Sequence, residues 1–209
     1  LYDRGEITGA LIIAPKGVYR NWEKGELPTH IPDHVIRDIV LWNPSQTKKQ
    51  IEVQRKLFFP DDNLKIFVMN VEALSTKKGA DMAERFLVAH DALMAVDEST
   101  TIKNKDAKRT KTIVSLGKHA KFRRILTGSP VTKSPMDLYS QCEFLDPWLL
   151  GHSSFFSFQH EYAVIQRRTM GAHSFNHIVG YRNLEKLTSL LNKFSYRVKK
   201  EDCLDLPDK

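Results

Sequence analysis

Two adjacent carboxylates, Asp97 and Glu98, come directly after the apolar run "ALMAV" at 92–96. A run of this length between polar segments predicts a buried strand. Two acids at the end of such a strand lose hydration and repel each other. Binding a cation or transferring a proton would explain why the chain tolerates this cost. The structural alternative is that the pair caps the helix that follows. The two residues by themselves leave both interpretations open.

A strongly basic segment follows the two acids. Between Lys103 and Arg124 the chain has nine Lys or Arg residues and one acid, Asp106, which gives this segment a charge of +8. The whole chain carries +7, so the remaining residues sum to −1. Concentrated positive charge is typical of a surface that binds a polyanion. A solvated helix face would have the same composition, so charge alone does not decide.

Short apolar runs alternate with amphipathic stretches through the first two thirds of the chain. The apolar runs predict strands at 10–14, 35–42, 64–70, 92–97 and 122–127. The stretches between and after them predict helices at 17–26, 45–58, 79–89, 106–117 and 134–145. This alternation predicts an α/β fold with a doubly wound, mostly parallel sheet and helices on both faces. In such sheets ligands bind beyond the carboxyl ends of the strands, where Asp97 and Glu98 would lie.

Two of the predicted helices carry recognisable start signals. Ser45 is a suitable N-cap for the helix at 45–58. Ser134 precedes Pro135, and proline is favoured at the first helical position, so we expect the last helix to begin there.

The pattern changes after about residue 146. An aromatic stretch at 146–164 predicts a partly helical segment, and residues 166–183 have little periodicity, so we expect a loop or insertion there. Residues 184–194, "LEKLTSLLNKF", predict an amphipathic helix. We therefore divide the chain into a core at 1–147 and a helical or insertion segment at 148–209.

The composition is that of an ordinary globular protein, with 41% hydrophobic and 27% charged residues. No apolar run is long enough to span a membrane and no signal peptide is recognisable, so we expect no membrane partner. Cys142 and Cys203 are far apart, and we expect both to be reduced. A zinc site is not expected, because no Cys or acid completes a ligand set with His152, His160, His173 and His177.

Five segments, in the right order and spacing, resemble motifs of the Swi/Snf family of superfamily-2 helicase-like ATPases. The segment "VDESTTIKN" at 96–104 resembles motif II, and its "IKN" is characteristic of that family. The segments "LIIAPKGVYRNW" at 11–22 and "IFVMNVEAL" at 66–74 resemble motifs Ia and Ib. Residues 123–147, "RRILTGSPVTKSPMDLYSQCEFLDP", are similar to motif III and its continuation. Residues 194–209 resemble the end of the family's first lobe.

The resemblance implies the first RecA-like lobe of a P-loop NTPase that hydrolyses ATP with Mg²⁺ and moves on double-stranded DNA. Glu98 would be the general base that activates water, and Asp97 would hold Mg²⁺ through water. The residues implied in coupling hydrolysis to movement are Thr100, Thr127, Gly128 and Ser129. The residues implied in nucleic-acid contact are Lys16, Asn70, Lys103 and Lys105. The implied partners are double-stranded DNA and a second RecA-like lobe of the same protein.

Two features depart from the family pattern. Thr100 stands where the family usually has His, which affects the implied coupling but leaves the two acids unchanged. No G-x-x-x-x-G-K-[ST] phosphate-binding loop occurs, and the chain opens on Leu1. We therefore expect a fragment that is inactive alone, and a cytoplasmic protein of a bacterium or of a phage-infected cell. The alternatives are a strand-separating superfamily-2 helicase and a non-catalytic nucleic-acid-binding module.

Overall fold

The computed structural model describes residues 1–45, 47–170 and 173–198. The chain forms two compact units, Leu1–Gly151 and His152–Lys209. Residues 199–209 lie outside the described part, so most of the segment that resembles the end of a first lobe, including Cys203, has no structural description.

The first unit contains a five-stranded sheet. Its strands are β1 (Gly9–Ala14), β2 (Arg37–Leu41), β3 (Leu64–Asn70), β4 (Ala92–Asp97) and β5 (Phe122–Leu126). They lie in the order β2-β3-β1-β4-β5, and every neighbouring pair is parallel. The prediction of a mostly parallel α/β sheet is therefore confirmed.

Helical segments connect these strands. The α-helices of the first unit are α1 (Tyr19–Asn21), α2 (Leu27–His30), α3 (Lys48–Arg55), α4 (Lys77–Ala89), α5 (Lys108–Gly117) and α6 (Leu138–Leu145). A π-helical turn, Trp22–Glu26, joins α1 to α2. The 3₁₀ turns are Tyr2–Arg4, Lys56–Phe58, Val71–Ser75, Ser99–Ile102 and Pro135–Asp137.

Both faces of the sheet are covered, which explains the continuous apolar character of its central strands. Successive residues of β1 point to opposite faces: Leu11 and Ile13 belong to one core cluster, and Ile12 belongs to the other. The first cluster includes Phe86 of α4, together with residues of α5 and α6. The second includes Leu27 of α2. Helices on both faces, as the sequence predicts, fix the positions of the strand ends.

One charged side chain is buried in the sheet. Lys65 near the start of β3 is 1% exposed, and its Nζ atom lies 2.6 Å from carboxylate oxygens of both Asp38 and Asp61. A buried ammonium group is tolerated only when it is paired and hydrogen-bonded. The two acids therefore explain how the apolar strand "LKIFVMN" accommodates a lysine.

The second unit contains α7 (Phe155–Tyr162), the strands β6 (Ala163–Met170) and β7 (His173–Tyr181), and α8 (Leu184–Leu191). The helix predicted at 184–194 is confirmed, although it is shorter. Of the loop or insertion predicted at 166–183, the loop is wrong, because β6 and β7 pair as an antiparallel hairpin, and the insertion stays a prediction. Most positions of this hairpin are exposed on both faces, so its strands lack the alternation of apolar and polar residues that marks a half-buried strand.

Two local predictions also need correction. Thr47, not Ser45, is the N-cap of α3, and its hydroxyl oxygen accepts the Gln50 N–H at 3.4 Å. The helix predicted at 17–26 is instead split by the π-helical turn and ends at His30. Within the part of the chain that the structure describes, no helix is both long and apolar enough to cross a membrane.

Candidate functional site

The carboxyl ends of the parallel strands bring the predicted site residues to one edge of the sheet. Asn70 ends β3 and is paired with Ala14, the last residue of β1. Asp97 ends β4 and is paired with Leu126, the last residue of β5. The chain builds β2 and β3 on one side of β1 and then crosses to build β4 and β5 on the other. Ligand crevices in open α/β sheets form at such a reversal.

Glu98 has a strained backbone at this edge. Its φ and ψ angles are 47° and 59°, in the left-handed region, which costs a residue other than glycine about 1–2 kcal/mol. Its side chain is exposed. The strain is held by neighbouring contacts: the Glu98 N–H donates to Asp97 Oδ1 at 2.9 Å, and the Glu98 carbonyl oxygen accepts the Thr101 N–H. Strained residues of this kind cluster at functional sites.

Asp97 is half-buried and is oriented by a residue that lies far away in the sequence. The indole N–H of Trp22 donates to Asp97 Oδ2 at 2.9 Å, so each carboxylate oxygen accepts one hydrogen bond. Trp22 begins the π-helical turn, a feature often found at functional sites. The sequence signal for this role was the position of Trp22 in the segment that resembles motif Ia.

The oxygens around Asp97 fit a magnesium ion held through water. An ionised carboxylate has about four acceptor positions, and hydrogen bonds from Trp22 and Glu98 use two of them. The remaining positions can accept hydrogen bonds from metal-bound water, and Mg²⁺ commonly keeps several waters.

A buried polar bridge holds the turn that follows Glu98. Ser99 and Gln141 are both fully buried, and the Ser99 hydroxyl donates to Gln141 Oε1 at 2.6 Å. Gln141 Nε2 donates to the carbonyl oxygens of Pro130 at 2.8 Å and of Asp137 at 2.7 Å. On the same helix, the Ser140 hydroxyl donates to the Ile102 carbonyl at 2.6 Å. Helix α6 therefore links the turn beside Glu98 to the loop after β5, a role that sequence reasoning did not find.

The predicted coupling residues lie in these two segments. Thr100 is half-buried in the Ser99–Ile102 turn. In the loop after β5, Thr127 Oγ1 accepts the Ser129 N–H at 3.2 Å, and the Ser129 hydroxyl donates to the Val131 carbonyl at 2.9 Å. Gly128 is exposed, and a Cβ at this position would meet no atom within 4 Å. The local structure therefore accommodates a side chain at Gly128.

Further along that loop, Asp137 organises the backbone. Burial raises the pKa of its carboxyl group, but hydrogen bonds from Lys133 and Thr132 outweigh this and keep the pKa below its usual value. The Asp137 carboxylate accepts the backbone N–H groups of Thr132 at 3.0 Å and Lys133 at 2.9 Å.

The four predicted nucleic-acid contacts have different surroundings. Lys16 is exposed in the turn after β1. Asn70 caps a 3₁₀ turn, because its Oδ1 atom accepts the Ala73 N–H at 2.9 Å. Lys103 Nζ donates to the hydroxyl of Thr132. This bond is a second link between the loop after β5 and the segment Asp97–Ile102, which we call the acid turn. Lys105 Nζ lies 2.8 Å from a carboxylate oxygen of Asp106.

The thiol of Cys142 is buried. Burial raises the pKa of the Cys142 thiol to about 12, so this group stays protonated and unreactive. Over residues 1–45, 47–170 and 173–198, no group of three or more His, Cys, Asp or Glu side chains could hold a metal ion.

Comparison with known proteins shows which family the sequence of this chain matches. The model of the SNF2-related domain matches residues 1–209, the whole chain. The human DNA repair and recombination protein RAD54B is 25% identical over 191 residues, which is 91% of this chain and 19% of that protein. The TATA-binding protein-associated factor MOT1 of Saccharomyces cerevisiae is 33% identical over 115 residues, 54% of this chain and 6% of that protein. The chain therefore spans about a fifth or less of the length of these relatives.

A solved structure agrees with the fold. The Sulfolobus solfataricus SWI2/SNF2 ATPase core in complex with dsDNA superposes with a TM-score of 0.55 and is 25% identical. The superposition covers 77% of this chain and 29% of that one.

Proposed function

Because the chain belongs to the SNF2-related domain family, we propose that it is part of a DNA-dependent ATPase that moves along double-stranded DNA. The observation that carries the proposal is the acid pair at the sheet edge. Asp97 is oriented by Trp22, and Glu98 is held in a strained backbone conformation beside it. The SWI2/SNF2 core bound to dsDNA, with a similar fold, supports DNA as the partner.

In this proposal the two acids have different tasks. Glu98 is exposed and is therefore free to accept a proton from the water that attacks the γ-phosphate of ATP. Asp97 would hold Mg²⁺ through water, and the ion would neutralise charge on the phosphate oxygens. Trp22 and the Glu98 N–H keep the Asp97 carboxylate in one orientation, so it would offer a preformed acceptor to water on the metal.

Hydrolysis would be communicated through the bridge between the acid turn and the loop after β5. A conformational change at Glu98 would move Ser99, its neighbour in the chain. Gln141 hydrogen-bonds to both Ser99 and the Pro130 carbonyl, so it joins the two segments. Thr127, Gly128 and Ser129 lie just before Pro130, and in this proposal they transmit the change. Hydrogen-bonded connections of this kind can carry coupling between elements that have two arrangements.

The proposal also requires a phosphate-binding loop, a second RecA-like lobe and an arginine finger. These 209 residues contain no G-x-x-x-x-G-K-[ST] sequence. The second candidate is a nucleic-acid-binding module without catalysis. The two candidates differ in one property, since only the enzyme turns over ATP in a manner that depends on duplex DNA.

The test is a triplex-displacement assay on the complete protein that contains this chain. A translocase displaces the third strand with ATP but not with a non-hydrolysable analogue, and leaves a forked duplex paired. Separation of the forked duplex would favour the strand-separating helicase. Duplex binding without ATP turnover would leave only the non-catalytic module.

A further inference from the structure

The hairpin of β6 and β7 is a surface that the proposed nucleotide site does not use. It forms a two-stranded sheet, and residues 164–170 and 173–177 are exposed. A two-stranded hairpin by itself is only marginally stable in water. Long strands that expose both faces are therefore suited to engaging a partner.

The charge of this hairpin indicates the sign of the partner. From Tyr162 to Leu184 the sequence has three arginines, two histidines and no Asp or Glu. Arg182 is engaged at the base of the hairpin, where its Nε–H donates to the Glu161 carbonyl at 3.2 Å. Arg167 and Arg168 are exposed on β6. A solvated surface normally mixes both signs of charge, so this composition favours an anionic partner.

The strand register separates the two arginines onto opposite faces. One face carries the cross-strand pairs Gln166–His177, Arg168–Phe175 and Met170–His173. The other carries Ile165–Ile178, Arg167–Asn176 and Thr169–Ser174. We call the first of these the Arg168 face.

The Arg168 face combines positive charge with exposed apolar groups. Phe175 is 46% exposed and Met170 is 75% exposed, which is high for side chains of this type. Arg168 lies directly opposite Phe175, and His173 and His177 flank that pair. Arginine with neighbouring imidazole and amide groups can donate to phosphate oxygens, while the apolar side chains can contact the sugars.

We propose that the Arg168 face is a second contact for double-stranded DNA, separate from the sheet edge that carries Asp97 and Glu98. The proposal rests on the proposed function only in taking duplex DNA as the partner. A two-stranded ribbon fits the major groove of B-DNA, which is about 12 Å wide. Arg168 would contact phosphate, so the contact adds affinity without reading sequence.

The experiment compares two variants with the same loss of charge on opposite faces of one hairpin. Arg168→Gln and Arg167→Gln are made in the complete protein, and binding to a blunt duplex is measured by fluorescence anisotropy at several salt concentrations. For Arg168→Gln we expect a Kd raised about 3- to 10-fold and a log–log salt slope shallower by about 0.9, the value for one lost phosphate contact. Arg167→Gln is the matched control and should change the Kd by less than twofold.

Two further arms make the result decisive. Arg168→Lys keeps the charge and should recover most of the affinity, and a single strand of the same sequence should show little difference between the variants. Equal behaviour of Arg167→Gln and Arg168→Gln would overturn the proposal, as would a loss confined to the single strand. If the wild-type protein bound no duplex at all, the proposed function would fail as well. Normal wild-type binding with an unaffected Arg168→Gln variant would remove only the hairpin contact.

Discussion

Asp97 accepts one hydrogen bond on each carboxylate oxygen, from the Trp22 indole and from the Glu98 N–H. These bonds restrict its orientation, because rotation about the carboxylate would break both. A hydrogen bond to a charged group contributes about 1.5–3 kcal/mol, so Trp22 has a measurable effect on how Asp97 presents its free acceptor positions. Trp22 is thus a positioning residue for the proposed magnesium site.

Replacing Trp22 by Phe removes the indole N–H and keeps an aromatic ring. We expect the Mg²⁺ concentration for half-maximal ATP turnover to rise about 3- to 10-fold, because the freed carboxylate is no longer held in one orientation. The measurement is a Mg²⁺ titration of DNA-stimulated ATPase activity in the complete protein. Trp148→Phe is the control, since Trp148 is 67% exposed and should leave the titration unchanged. An unchanged titration for Trp22→Phe would show that the indole does not position Asp97.

At the scale of single residues, the sequence predicted Asp97 and Glu98 but not the residues that hold them in place. Asp97 and Glu98 are neighbours at a strand end, so a local pattern identifies them. Trp22 and Gln141 act through contacts that span 75 and 42 residues of sequence. Only the fold brings such residues together, and a single glutamine in a helix carries no local sign that it bridges two loops.

At the scale of elements, helix α6 holds two segments of the site. Gln141 bonds to Ser99 and to the Pro130 carbonyl, and Ser140 bonds to the Ile102 carbonyl. All of these groups gain their partners in the folded state, where burial makes an unmade hydrogen bond costly. The acid turn and the loop after β5 are therefore fixed to one common helix.

Replacing Gln141 by Leu keeps the side-chain volume and removes the bridge. The Ser99 hydroxyl loses its acceptor inside the core, at a cost of about 1–3 kcal/mol, so we expect the thermal midpoint to fall by about 2–10 °C. DNA stimulation of ATP turnover should also fall, because the two loops are no longer joined. Calorimetry and steady-state ATPase assays on the complete protein measure the two effects.

The matched control is Gln54→Leu, which removes a single hydrogen bond from Gln54 Nε2 to the Asn43 carbonyl on a half-buried surface. It should change stability by less than about 1 kcal/mol and leave DNA stimulation intact. If Gln141→Leu lowered stability but DNA stimulation stayed at the wild-type level, the bridge would be structural and would not couple the loops.

The helices and strands were predictable from the sequence where their residues are continuously buried. The strands at 64–70 and 92–97 have the predicted bounds, because continuous apolar runs bounded by polar residues mark the buried strands of a parallel sheet. The hairpin of β6 and β7 was predicted as a loop, because Arg167, Arg168 and His177 occupy exposed positions and no core imposes an alternation. Thr47 took the capping role predicted for Ser45, a shift of the kind expected at helix ends.

At the scale of the whole molecule, positive charge follows the acids directly. Two of the predicted contacts, Lys103 and Lys105, lie between the acid turn and α5, and Lys103 also bonds to Thr132 in the loop after β5. Lys103 therefore has an observed contact with the loop after β5, in addition to its predicted contact with DNA phosphate.

The double variant Lys103→Ala plus Lys105→Ala separates these two contacts. If the lysines contact phosphates, duplex affinity should fall equally for all sequences, and the log–log salt slope should become shallower by about one to two units. Binding is measured by salt titration on duplexes of unrelated sequence. Unaltered affinity and slope, together with lower DNA-stimulated ATPase activity, would instead indicate that the two lysines stabilise the loop after β5 or contact the second RecA-like lobe.

The central claim is that Glu98 is the general base of a DNA-dependent ATPase, and one comparison tests it most directly. DNA-stimulated ATP turnover is measured for the complete wild-type protein, for Glu98→Gln, and for Glu72→Gln, an exposed acid just after the end of β3. Loss of a general base should lower turnover by roughly 10²–10⁴-fold while ATP and Mg²⁺ binding persist. Glu72→Gln should remain within about twofold of wild type, as expected for a surface substitution. Turnover of Glu98→Gln at the wild-type rate would contradict the account and return the acid pair to a structural role.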